Sequence, residues 1–157
     1  MQMTEHPRGV ARRLVAVTRG GDLDPRGQAG ALDVLAGPDH RDRLAAVLRE
    51  LVVATADMMV CRAEEPGADK AFMLDLRDDE GEPVQVDTLD PPVRALVRAL
   101  LAQLNGTPED TEFQLGLALR ADERFDPVDV LVLALLWTVG SIEWCEQHDA
   151  PTPGWLA

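Results

Sequence analysis

Apolar residues recur at three- and four-residue spacing along most of this chain, the period of one face of an α-helix. Leu44, Val47, Leu48, Leu51, Met58 and Cys61 keep that spacing and predict a long helix from about His40 to Glu64, capped by Asp39 and stopped by Pro66-Gly67. A second stripe, Val93, Leu96, Val97, Leu100, Leu101 and Leu104, predicts a helix from Pro91 to Asn105, with Arg94 and Arg98 outside the stripe and Gly106 terminating it. A shorter helix is expected from about Pro25 to Ala36, with Leu32 and Leu35 inward. The last predicted helix, Pro127 to about Gln147, is apolar on every side through Val130, Leu131, Val132, Leu133, Leu135, Leu136 and Trp137. A helix hydrophobic all round belongs inside a protein, so it is expected to be the centre around which the others gather.

Four helix starts carry the same punctuation, a capping residue followed by proline: Asp24-Pro25, Asp90-Pro91, Thr107-Pro108 and Asp126-Pro127. The cap side chain accepts from an orphan amide, and proline loses nothing where its missing N–H would be unpaired anyway.

Three segments are less regular. Phe72, Leu74 and Leu76 alternate with polar or solvent-side positions, as do Val84 and Val86, around the turn-rich Asp78-Asp79-Glu80-Gly81-Glu82-Pro83, which predicts a small β-hairpin over about residues 71–88. Phe113, Leu115, Leu117 and Leu119 also alternate, but Thr107-Pro108 favours a helix there. Gly9 to Thr18 fits either a short helix or a strand. The fold expected is mainly α: a single helical domain of five or six helices around the apolar C-terminal helix, with one hairpin. Its core spans residues 24–148, between a basic N-terminal segment, 1–23, and an irregular tail, 149–157, whose Trp155 and Leu156 would be costly to expose.

Length and composition agree with that outline. A chain of 157 residues is one domain's worth and hides roughly 68–70% of its unfolded surface without disulfides or metals. The 46% hydrophobic content excludes an acidic disordered chain. Charge changes the picture more. The net is −13, which disfavours nucleic-acid backbones and anionic membranes as partners. It is spread unevenly: +2 over residues 1–26, −7 over 27–106 and −8 over 107–157. Lys70 is the only lysine, and the Arg-, Ala- and Leu-rich usage resembles that of a GC-rich bacterial gene. The N-terminus makes a poor secretory signal. The uncharged run Val130–Ile142 is shorter than the roughly 17–25 residues a membrane helix needs. A cytoplasmic protein with Cys61 and Cys145 reduced is expected.

Candidate chemistry is sparse. Cys145 and His148, at i and i+3 with Glu143 nearby, are zinc-ligand types on neighbouring helix positions, and also a possible thiol and base. Two such residues and an acid make an incomplete site, and surrounding carboxylates raise a thiol pKa. Asp78, Asp79 and Glu80 invite weak cation binding, although the loop lacks EF-hand spacing. Asp129 and Glu143 bound the apolar run as possible acid–base residues. Phosphate loops, nucleophile elbows and dinucleotide fingerprints do not occur, and no cofactor is expected. Arg8, Arg12, Arg13, Arg19 and Arg26 form one basic stretch, expected to fold back on the acidic body. Trp137 and Trp144, seven residues apart, share a face suited to a homodimer seam or a protein partner. A noncatalytic interaction or regulatory module is therefore the leading expectation, and a small enzyme or ligand-binding protein with an interhelical pocket near Cys145 and His148 is the alternative.

Overall fold

The computed structural model of the chain describes residues 5–20, 40–62, 75–120 and 126–156. Within them lie five α-helices: α1 (Pro7–Arg19), α2 (His40–Arg62), α3 (Pro91–Leu104), α4 (Pro108–Ala118) and α5 (Pro127–Gln147). The expected helix over 25–36 and the Asp24 and Asp39 caps lie outside the described residues.

Proline marks the first residue of four of these helices. The side-chain cap is used less than the punctuation implies. Asp126 accepts from the Val128 amide at 3.0 Å, whereas Asp90 and Thr107 make no capping bond. Thr107 instead donates its hydroxyl to the Ala102 carbonyl at the end of α3, at 3.0 Å. Proline's preset φ at N1 thus suffices to begin a helix. α1 begins the same way at His6-Pro7, where the His6 ring accepts from the Arg8 amide at 3.2 Å. The helix-or-strand choice at Gly9–Thr18 resolves as helix because Val10, Ala11, Leu14, Val15 and Thr18 fall on one buried face.

α3 and α4 form a tight antiparallel hairpin. Asn105 caps α3, Gly106 takes φ +72°, and the Gly106 and Thr107 amides bond back to Gln103 and Ala102, a Schellman turn. Nothing lies within 4 Å of a Cβ built on Gly106. Gly106→Ala is therefore expected to cost only the left-handed backbone penalty, about 1–2 kcal/mol, measurable by urea denaturation. A loss below about 0.3 kcal/mol would mean that the turn relaxes to another conformation. In α4 the alternating apolar pattern is incidental. Thr111, Leu115, Ala118 and Leu119 are buried at helical spacing, and Phe113 is 61% exposed.

The hairpin expected over residues 71–88 is corrected. Among the described residues there is a single antiparallel bridge, Arg77 with Pro83, and no strand. Asp78 closes a turn by accepting from the Glu80 and Glu82 amides, Gly81 takes φ +81°, and Val84 donates to Leu76 at 2.8 Å. Pro83 brings no amide to extend the ladder, and Val86–Thr88 winds into a 3-10 turn leading to α3. Phe72 and Leu74 lie outside the described residues. Two alternating valines satisfy a 3-10 turn as readily as a strand.

The centre of the fold is also corrected. α2 packs on all four other helices, and α5 packs chiefly on α2 and α1. α2 buries Leu44, Val47, Leu48, Leu51, Val52, Ala54, Thr55, Ala56 and Met58. α5 buries Val130, Leu131, Ala134, Leu135, Thr138, Val139, Ile142 and Cys145, but leaves Leu136 and Gly140 exposed. The most apolar helix is thus a wall of the core, and α2 is its axis. The contacts Thr55–Thr138 and Arg62–Trp144 run in the same chain order, so α2 and α5 are parallel. α1 lies alongside both in the same sense, from Arg8 at Glu50 to Arg19 at Glu146. Beyond α5 the chain turns at Asp149, with φ 52°, and runs back along α1. There the 3-10 turn Gly154–Leu156 sets Trp155 and Leu156 against the core and the Arg8 guanidinium stands 5.7 Å from the Trp155 ring.

Candidate functional site

Most of the candidate site residues, Asp129, Trp137, Glu143, Trp144, Cys145 and His148, lie on α5 or at its end, at two places with different character. The first is its C-terminal end. His148 caps the helix, its amide bonding to the Trp144 and Cys145 carbonyls, and its Nδ1 lies 2.8 Å from the Trp144 carbonyl oxygen. The imidazole stacks on the Trp144 indole with centroids 4.1 Å apart and planes 14° from parallel. The Arg62 guanidinium, from the last residue of α2, stands 5.4 Å from the same indole. Glu146 accepts from Arg19 of α1 through both carboxylate oxygens at 2.8 Å. These contacts tie the ends of α1, α2 and α5 into one knot of partly exposed charge and aromatic surface.

Cys145 does not take part in that knot. It is fully buried, while Glu143 and His148 are exposed. Burial, and secondarily the neighbouring Cys61, push its thiol pKa above the ordinary value. At neutral pH the sulfur therefore keeps its proton, which makes it a poor metal ligand and a poor nucleophile. Cys145, His148 and Glu143 share a helix end without converging. Among the described residues no three His, Cys, Asp or Glu side chains are grouped to hold a metal ion. Asp129 sits exposed at the opposite end of α5 from Glu143. Asp78 spends its carboxylate on its own turn, and Asp79 and Glu80 stand exposed beside it. Arg77 reaches Asp75 at 3.1 Å and the Gly81 carbonyl at 2.9 Å.

The basic N-terminal stretch lies on the acidic body at several points. Arg8 pairs with Glu50 at 3.0 Å and Arg19 with Glu146, while Arg13 pairs with Glu5 inside the segment itself. These partly exposed pairs contribute little stability each. Their effect is positional, because they neutralise acids that would repel one another across α1, α2 and α5. Arg26 lies outside the described residues.

The second place is the outward face of α5. Between Asp129 and Glu143 the helix carries no charge, and Leu136 is 44% exposed. Leu133 and Trp137 lie half-buried beside it, and Gly140, exposed one turn on, leaves a shallow step. Sequence reasoning chose Trp137 and Trp144 for this face but missed Leu136, since uniform hydrophobicity carries no signal of which side faces out. Val60 and Phe113 are the other exposed large apolar side chains among the described residues. Each stands on a different helix, α2 and α4. Scattered apolar residues of that kind are ordinary.

By length and composition α5, 21 residues and about 31 Å long, is also sufficient to cross a membrane. The uncharged run understates it because Asp129 and Glu143 lie within the helix. Of its most apolar window 44% is buried inside the protein. No family model matches the chain, and neither curated proteins nor solved structures give a significant match.

Proposed function

We propose that this chain is a noncatalytic interaction module that pairs with a second copy of itself through the outward face of α5, centred on Leu136 and Trp137. The observation that carries this reading is a thirteen-residue uncharged stretch on one helix, exposed at Leu136 and Gly140 on its outward side, on a chain of net charge −13. Two copies repel each other over most of their surfaces, and the repulsion reaches about 8 Å at physiological salt. The α5 face is where approach costs least electrostatically and removes the most apolar area from water. A two-fold axis between Leu136 and Trp137 lets each Leu136 meet the partner's Trp137, the kind of aromatic anchor that dominates interface energies. Trp144 takes a lesser part, since Arg62 and His148 already cover its ring. The acidic remainder keeps the pair soluble and disfavours nucleic acid and anionic membrane. A reducing cytoplasm suits its two thiols.

Light scattering behind size exclusion tests the reading. At high concentration the expected mass is twice 17.1 kDa, and Leu136→Glu is expected to weaken pairing at least tenfold by placing a charge in the seam. Raising the salt should strengthen pairing, since screening relieves repulsion between like-charged copies. Capture of a basic partner would respond in the opposite direction. A wild-type chain that stays monomeric up to about millimolar concentration, where association would be worth only about 4 kcal/mol, removes the proposal.

A further inference from the structure

We propose that the self-association is antiparallel and gated by acid: Asp129 of each copy stands against the partner's Glu143 at both ends of the apolar seam, and protonation of these carboxylates tightens the pair. The inference rests on the pairing through Leu136 and Trp137 proposed above. Asp129, Leu136, Gly140 and Glu143 are exposed while the residues between them are buried or half-buried, so they mark one outward line along α5. Asp129 and Glu143 each stand seven residues from Leu136, two turns and about 10.5 Å along the axis. A two-fold axis that crosses α5 between Leu136 and Trp137 reverses the helix direction. Asp129 then comes level with the partner's Glu143 to within one residue. The same reversal brings Leu133 level with the partner's Gly140, where nothing lies within 4 Å of the Cβ position. An antiparallel pair also sets opposed helix dipoles side by side, whereas a parallel pair aligns them.

Among the described residues neither carboxylate has an ion pair, and most cations of the helices packed on α5 are committed elsewhere. Arg19 of α1 is bound to Glu146, Arg62 of α2 lies over the Trp144 ring, Arg49 of α2 pairs with Glu112 at 2.7 Å, and Arg98 of α3 pairs with Asp87 at 3.0 Å. Arg12 of α1 is exposed about one turn short of Glu143, by the level that Arg19 and Glu146 set. Asp126 on the same helix adds negative charge, as does Asp57 of α2, level with Gly140 by the Thr55–Thr138 contact. Bringing two carboxylates together penalises the state in which both are charged, so the pair takes up protons on forming. Pairing is therefore weakest above the carboxylate range and strengthens as pH falls toward about 4–5.

The test measures the dimer dissociation constant of the full-length protein by sedimentation equilibrium, at neutral pH and at about pH 5. Asp79→Asn, at an exposed acid on the turn before α3, controls for the change in net charge. At neutral pH Asp129→Asn and Glu143→Gln are each expected to tighten pairing about five- to tenfold beyond that control, since either removes one charge from both carboxylate pairs. The double variant is expected to gain little over either single, because each pair loses its repulsion only once. The unmodified chain is expected to pair about fivefold more tightly at the lower pH, and Asp129→Asn to lose most of that response. His148 gains charge over the same range and is present in every variant, so an undiminished response in Asp129→Asn overturns the gate. Additive gains from the two single changes overturn the antiparallel arrangement, because parallel copies set Asp129 on Asp129 and Glu143 on Glu143. A dimer weakened by Leu136→Glu but indifferent to both carboxylate changes overturns this inference alone. A strictly monomeric unmodified chain overturns the self-association and the gate with it.

Discussion

Leu131→Ala is expected to destabilise the protein by about 3–5 kcal/mol, the largest single effect among the changes considered. Leu131 is fully buried where α5 meets the core. Truncation removes one methine and two methyl carbons from that environment and leaves a cavity that two parallel helices cannot collapse without shifting. Against a typical total of 5–15 kcal/mol, the loss is a large part of the stability of a small domain. Leu136→Ala, five residues along the same helix, is expected to cost about 1 kcal/mol or less in the monomer, because that side chain is 44% exposed. Chemical denaturation of the two variants at concentrations below self-association separates them. Equal losses would mean that α5 is rotated from the orientation described.

The second large effect concerns a buried polar pair. Thr138 donates its hydroxyl to the Ala134 carbonyl at 2.9 Å, and its oxygen lies 3.0 Å from the Thr55 hydroxyl of α2. Because the Thr138 proton is committed to Ala134, Thr55 is the donor across the interface. Both residues are buried, Thr138 fully. Thr138→Val keeps the volume but strands the Thr55 hydroxyl, at an expected cost of about 1–3 kcal/mol. Thr55→Val leaves Thr138 bonded to its own helix and is expected to cost less, about 1 kcal/mol or below. With both changed, no donor is stranded, and the double variant is expected to be more stable than Thr138→Val alone. Urea midpoints for the four proteins give the coupling directly. Additive losses would show that the hydroxyls do not depend on each other.

That pair also shows why some of the architecture was legible in sequence and some was not. The existence of α2, α3 and α5 follows from apolar spacing and from proline after a capping residue. Those signals act within a few residues, through φ restriction and orphan amides, so a linear reading captures them. The helix at α4 was legible from Thr107-Pro108 even though its apolar residues alternate, because the backbone start outweighs a weak pattern. The hairpin was misread from local cues as well. Alternation across Val84 and Val86 is too short to exclude a 3-10 turn, and Pro83 removes the donor that a ladder needs.

The candidate site divides along the same line. Cys145 and His148 are adjacent in the one-turn sense, which sequence reports correctly. Whether they converge depends on burial: the cysteine is packed into the core, and the histidine turns out to cap the helix and stack on Trp144. Trp137 and Trp144 share a face in sequence, yet Arg62, 82 positions before Trp144, covers only the second. Contacts of that range have no local signature.

Sequence by itself determined that this chain is mainly helical, where several helices begin and end, and that it carries a net charge of −13. Those properties arise from backbone preferences within a turn or two and from a sum over side chains. Tertiary structure alone decided that α2 is the axis and α5 a wall, that Leu131 faces inward while Leu136 faces out, and that Cys145 is buried while His148 is exposed. The physical reason is that a uniformly apolar helix has no intrinsic inside. Its orientation is set by which neighbours offer complementary surface, here the face of α2 whose Thr55 meets Thr138.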